Sequence, residues 1–231
     1  MNPDFISTES LMDSFVASED APAGAPAQEQ PAGQAPQKPA GRLKMNGPRE
    51  CGCVTAVPGP NGSVTYSCNI GYEVGDCDDY FPIIHILHHA TEKDTVVLNI
   101  YSYGGMVETG CHLINALYNT CAHTITRAYG IVASIAAVIW CCGQERQVTD
   151  NATIMFHMPS GGCFGKTADN EEESRNIQDF FTELLKDVAK GILTDEDLER
   201  IVTCRNDVFI PARTIRERLG QTREGDSHEK E

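Results

Sequence analysis

Short apolar runs and helical periods succeed one another through the middle of this 231-residue chain. The segments "CGCVTAV" and "VTYSCNIG", joined by the turn sequence "PGPNGS", predict the two strands of a hairpin. "DDYFPIIHILHHATEKD" predicts a helix that ends in charge, and the β-branched run "TVVLNIYS" predicts a strand buried on both faces. After Gly104-Gly105, the apolar residues Val107, Cys111, Ile114, Leu117 and Tyr118 return at helical spacing. "TITRAYG" then predicts a strand, "IVASIAAVIWCCG" a buried helix and "TIMFHM" a further strand. Strands alternating with helices in this way predict an α/β fold.

The last third is helical in pattern. Ile177, Phe180, Phe181, Leu184, Leu185 and Val188 share one face at the 3.6-residue period, and "DNEEESRN" ahead of them suits the positive end of a helix dipole. Thr194 is placed to cap "DEDLERIV", and Gly220 to stop the helix of "ARTIRERLG".

Composition changes the picture at the two ends. Residues 1–48 centre on "APAGAPAQEQPAGQAPQKPAG", which buries too little apolar surface to offset its ordering entropy, so a disordered tail is expected. One domain is expected over 49–220 and a charged flexible tail over 221–231. A formal net charge of −15 disfavours nucleic acid, because a grip on phosphates needs clustered Lys and Arg. The first residues carry acids where a signal peptide carries bases, and the longest apolar run, Ile131 to Cys142, is shorter than the ~20 residues of a membrane span. A soluble, cytoplasmic protein without a membrane partner is expected.

Ten cysteines in an unsignalled chain of this size read as reduced thiols rather than a disulfide framework. Cys51, Cys53, Cys68 and Cys77 are the four soft donors worth weighing for a metal, but their spacing lacks the paired knuckles of a zinc ribbon, and packed strand cysteines are expected instead. His85, His88 and His89 have the spacing of a helix surface.

The chemistry turns on "MFHMPSGGCFGKT", residues 155 to 167. Its second half resembles a phosphate-binding loop, but that loop needs glycine five residues before Gly165, where Ser160 stands; Gly161 leaves the loop one residue short. Lys166 is then a helix-entry residue. The first half offers His157 as a base at a strand end. Ser134, after a strand and a glycine turn and at the head of an apolar helix, is a candidate nucleophile, since a serine hydroxyl needs an adjacent base. Asp207 in "CRNDVFIPA" is placed to orient the imidazole. Each residue has a bland alternative: Ser134 as a small packing residue, His157 as a hydrogen-bonded core histidine, Asp207 as a helix cap.

Five ordered pieces, "SYGGMVETG", "GIVASIAAVI", "MFHMPSGG", "GKTADNEEESRNIQDFFTELL" and "RNDVFIPARTIRERLG", resemble the proteolytic subunit family of the Clp protease over roughly residues 66 to 220. The resemblance implies a spiral of β-β-α units, related to the crotonase fold, with a protruding handle helix over Thr167 to Lys190. It implies a serine endopeptidase that cleaves unfolded polypeptides inside a homo-oligomer, a heptameric ring or stacked double ring. Ser134, His157 and Asp207 would form the triad and the backbone N–H groups of Gly105 and Ile135 the oxyanion hole. Gly104, Gly161 and Gly162 would hold an extended substrate peptide. No cofactor or metal is implied, and ATP enters only through a separate AAA+ unfoldase.

The chain departs from the family in having Ser102-Tyr103-Gly104-Gly105 where Ser-Pro-Gly-Gly is usual, and Ile135 where Met follows the serine. Its N-terminal side also differs, which bears on unfoldase docking. A noncatalytic ring or scaffold, a capsid-maturation protease and a crotonase-type acyl-CoA enzyme are the competing expectations.

Overall fold

The structure, a computed structural model, describes residues 42–43, 54–159 and 167–221. The expected disordered tail, Cys51, Cys53, Gly161, Gly162, Lys166 and the C-terminal tail lie outside those residues, apart from the short strand at 42–43 and from Gln221.

In chain order the elements are β1 (Arg42–Leu43), β2 (Val54–Pro58), β3 (Val64–Val74), α1 (Phe81–His89), β4 (Thr95–Gly105), α2 (Val107–Asn119) and β5 (His123–Ala128). There follow β6 (Ile131–Ala133), α3 (Ile135–Cys141), β7 (Glu145–Val148) and β8 (Thr153–Phe156). The chain continues through α4 (Thr167–Val188), α5 (Asp195–Val202), β9 (Val208–Pro211) and α6 (Ala212–Leu219). The strands form two sheets, one ordered β1-β2-β3-β4-β5-β7 and a small one ordered β6-β8-β9. The α/β expectation is met.

The predicted hairpin is β2 and β3, antiparallel with Val54 opposite Cys68, and Asn61 and Gly62 supply the positive φ of its turn. From β3 through β4 and β5 to β7 every pairing is parallel. Cys68, Ile70, Leu98, Ile100 and Ala128 of this sheet enter one core with Ile83 and Leu87 of α1, Leu113 and Leu117 of α2, and the whole of α3. The run "TVVLNIYS" is buried on both faces only at its start: Val96, Leu98 and Ile100 are covered on one side, and on the other Val97 is buried whereas Asn99 and Tyr101 are half-buried.

Other boundaries also move for identifiable reasons. The helix predicted over "DDYFPIIHILHHATEKD" contracts to α1, because the carboxylate of Asp94 accepts the N–H and hydroxyl of Thr91, each at 2.8 Å, and closes "TEKD" into a turn. His85, His88 and His89 are exposed on α1, and the rings of His85 and His89 stack with centroids 4.0 Å apart. The "IVASIAAVIWCCG" helix loses its first three residues to β6. The strands β7 ("ERQV") and β9 ("VFIP") carry too little pattern in four residues to be read from sequence.

The capping box at Thr194 is present, its hydroxyl accepting from Asp197 N at 3.1 Å while the Asp197 carboxylate accepts from Thr194 N at 3.1 Å. Gly220 ends α6 at φ 65°. On α4, Phe181, Leu185 and Val188 are buried, but Ile177 and Phe180 of the same predicted face are exposed. Among the described residues, no helix is long and apolar enough to cross a membrane.

Candidate active site

The small sheet gathers residues far apart in sequence. Parallel pairing of β6 with β8 sets Ala133 opposite Met155, and antiparallel pairing of β8 with β9 sets Phe156 opposite Val208. Ser134 is the residue after β6, His157 the residue after β8, and Asp207 the residue before β9. All three therefore stand at the same end of one three-stranded sheet, with His157 on the central strand. The paired register ends at Phe156 opposite Val208, so His157 and Asp207 are the residues that directly follow and precede the last pair. Asp207 precedes a strand, so its alternative role as a helix cap does not hold.

Ser134 is in an unusual backbone state, φ 58° and ψ −133°, which costs a non-glycine residue about 1–3 kcal/mol. The surroundings impose it. Ser134 N donates to Met155 O at 2.9 Å, continuing the β6–β8 ladder, while Ser134 O accepts from Ala137 N at 3.0 Å and so starts α3. The chain turns from strand to helix at a single residue. A serine at a helix start ordinarily turns its hydroxyl onto the first backbone N–H groups. Ser134 does not, and its Oγ makes no capping bond. α3 behind it is buried along its whole length.

The end of β4 closes on Ser134 from the other side. Gly104 has φ +97°, and a Cβ there would lie 2.5 Å from Ser134 Cβ and 2.9 Å from Ala133 O. Only glycine fits both the conformation and the space. Gly105, at φ +150°, is packed against Val74, whose carbonyl a Cβ would strike, and Met106 N donates to that carbonyl at 2.7 Å. Ser102 braces the turn: its hydroxyl donates to Tyr72 O at 3.0 Å and accepts Gly104 N at 3.2 Å. Ser102 is a positioning residue that the sequence did not single out. A serine at the end of an apolar β-branched run, two residues before a glycine pair, is the signal that was available.

Gly110 of α2 packs directly on the Ile135 side chain, where any Cβ would collide, so α2 fixes the first residue of α3. The Ile135 N–H is one of the donors that a helix start leaves without an intrahelical partner. Together with the Gly104-Gly105 backbone it borders Ser134 in sequence and space. Among the described residues, no hydrogen bond or ion pair links the side chains of Ser134, His157 and Asp207, and Asp207 is exposed.

The buried thiols are unsuited to nucleophilic work. Burial pushes the Cys68 thiol up to about 12 and the Cys142 thiol up to about 11, and raises Cys141 as well, so all three are neutral near pH 7. Cys68 packs in the core, and Cys77 Sγ lies 3.0 Å from His112 Nδ1. Among the described residues, no group of three or more His, Cys, Asp and Glu is arranged to hold a metal ion.

A family model described as Clp protease matches residues 69–214, a span that includes Gly104, Gly105, Ser134, His157 and Asp207. An ATP-dependent Clp protease proteolytic subunit of Dehalococcoides mccartyi is 31% identical over 116 residues, 48% of this chain and 55% of that protein. Its counterpart from Bacteroides thetaiotaomicron is 32% identical over 104 residues, 44% of this chain and 47% of that protein. The chain thus spans about half the length of the relatives it matches. With the match running from within β3 to within α6, over more than half of the chain, the chain belongs to the Clp protease family.

Proposed function

We propose that the chain is a serine endopeptidase that hydrolyses unfolded polypeptides, with Ser134 as nucleophile, His157 as general base and Asp207 as the group that orients the imidazole. The observation that carries this reading is the register of the small sheet, which sets the three residues at one end, with Ser134 held in a strained turn and its hydroxyl making no capping bond. Ser134 Oγ attacks the peptide carbonyl, His157 takes its proton and returns it to the leaving amine, and water then hydrolyses the acyl-enzyme. Backbone N–H groups of Gly105 and Ile135 receive the oxyanion. Gly104, with Gly161 and Gly162, flanks the bound peptide.

Apolar Ile177 and Phe180, exposed on α4, support a homo-oligomer in which the handle helix is covered by another copy, in a heptameric ring or stacked double ring. In this reading assembly draws the triad side chains into hydrogen-bond contact, since catalytic bonds are often long before a site is complete. Unfolding is left to a separate AAA+ ATPase in the cytoplasm, and no cofactor is required.

Labelling of the assembled protein with a fluorophosphonate probe tests the reading. Stoichiometric modification at Ser134 is expected, lost in Ser134→Ala and His157→Ala, with peptide hydrolysis by Ser134→Ala down ~10⁴-fold or more. A folded, assembled protein that does not label sinks it. A noncatalytic ring or scaffold is the second reading, favoured by the lack of a bond among the three side chains and by the exposure of Asp207. Retention of CoA would instead favour a crotonase-type enzyme, and cleavage restricted to a shell protein a capsid-maturation protease.

A further inference from the structure

The three histidines of α1 have no part in the chemistry described so far. His85, His88 and His89, in "HILHH", are all exposed, while Ile83 and Leu87 of the same helix are buried in the core. Histidines on a helix surface are ordinarily separate, solvated rings. Here the i, i+4 pair is not: the rings of His85 and His89 stack with centroids 4.0 Å apart and planes 29° from parallel. The His89 ring is also held from behind, because its Nδ1–H donates to the His85 carbonyl at 2.8 Å. That bond fixes the tautomer. The lone pair of neutral His89 is then on Nε2, the nitrogen turned away from the helix backbone. A carbonyl that holds one ring N–H is the usual support behind an imidazole that ligates a metal through its other nitrogen.

Distance and charge agree with such a role. Zn–N bonds of about 2.1 Å at a tetrahedral angle put two ligand nitrogens about 3.4 Å apart. Rings centred 4.0 Å apart reach that spacing when their planes converge slightly. His85 can supply the convergence, since its ring nitrogens make no hydrogen bond among the described residues. His88 and His89 also lie in the last turn of α1, where the final carbonyls of a helix carry partial negative charge. A chain of net charge −15 adds to the attraction for a cation. The donor type selects the ion: imidazole suits zinc, copper and nickel, whereas magnesium and calcium take oxygen ligands.

We propose that His85 and His89 chelate one divalent transition-metal ion of the zinc type through one ring nitrogen each, with water in the remaining positions. Two protein ligands make an open, exchangeable site rather than a closed structural one. This agrees with the absence, among the described residues, of a group of three or more ligands. His88 is outside the stack and is not a ligand. The proposal is independent of the peptidase reading, because α1 packs in the core of the large sheet and contributes nothing to the small sheet that ends at Ser134 and His157.

Diethyl pyrocarbonate, which acylates a free imidazole nitrogen and is blocked by coordination, provides the test. Metal-stripped, full-chain protein is treated with the reagent while Zn²⁺ is raised stepwise to excess, and each histidine is read separately by peptide mapping. Zinc held by cysteines elsewhere leaves this readout untouched. Modification of His85 and His89 is expected to fall together with one half-point, by about tenfold when Zn²⁺ stands roughly ten times above it. His123 should be unaffected, and Mg²⁺ should protect neither ring. In His85→Gln, protection of His89 is expected to need about tenfold more Zn²⁺ or greater, whereas His88→Gln should leave the half-point where it was. The paired protection in the parent protein stands as a readout even if a variant fails to fold. No protection, different half-points for the two rings, equal protection of His123, equal protection by Mg²⁺, an unshifted His85→Gln or a shifted His88→Gln would each overturn the proposal. So would protection confined to His112, whose Nδ1 lies 3.0 Å from Cys77 Sγ.

Discussion

The two sheets of this chain are built on different principles. The large sheet has strands of up to eleven residues and a core filled by Leu98, Ile100, Trp140 and their neighbours, all fully buried. The small sheet has strands of three or four residues, drawn from positions 131 to 211, and it holds the strained Ser134. The first holds most of the buried core, and the proposed chemistry centres on the second, with the Gly104-Gly105 end of β4 reaching it from the first. Short strands that meet only through tertiary register set side chains side by side from distant parts of the chain, and the fixed scaffold behind them sustains the strain at Ser134.

Separating the two is the way to break this comparison. Leu98→Ala removes a fully buried side chain from the centre of the large sheet and is expected to lower unfolding stability by about 2–5 kcal/mol. Chemical denaturation measures the loss, and labelling at Ser134 per folded molecule should be unchanged. If labelling falls in proportion to stability, the division of labour is wrong. Gly104→Ala, at the end of β4 where the large sheet meets Ser134, is the opposite case. The added methyl must displace Ser134 or the Gly104-Gly105 turn, so if the proposed oxyanion role holds, peptide hydrolysis is expected to fall ~10²–10³-fold. Steady-state rates measured on assembled protein check this, and activity near the parental level would remove Gly104 from the site.

A smaller effect is expected at the start of the large sheet. Burial works against the Asp94 carboxylate, but hydrogen bonds from Thr91 and from Val64 N, the latter at 2.7 Å, outweigh it and hold the group below its ordinary value of 3.8. Because the folded state has the lower value, the stabilisation is full above the unfolded value. It is lost as pH falls from there through the folded one. Asp94→Asn should therefore cost about 1–2 kcal/mol at neutral pH and flatten the acid limb of a stability-against-pH curve below pH ~4. An acid limb of unchanged slope would show that Asp94 is not the linked group.

Legibility from sequence followed the same division. The β2–β3 hairpin, α2 and the caps at Thr194 and Gly220 were readable because each is encoded within a few residues by turn chemistry, period or capping. β7 and β9 were not, since four residues carry no decisive period. The "IVASIAAVIWCCG" run hid a strand because nothing local marks Ser134 as the break; its positive φ arises from the ladder to Met155 and the helix beyond. Nor did it show that Ser102 braces the glycine turn, a role that depends on Tyr72 in the neighbouring strand.

Sequence by itself thus determined the alternation of strands and helices, the residue types available for acyl transfer and the acidity of the whole. All of these are set by composition and short-range spacing. Tertiary structure alone decided that Ser134, His157 and Asp207 share one end of one sheet, and that Asn69, Asn99, Arg127 and Gln147 form one row. Strand register is the physical reason: it is fixed by pairing between distant segments, and a slip of one residue would turn each of these side chains to the opposite face.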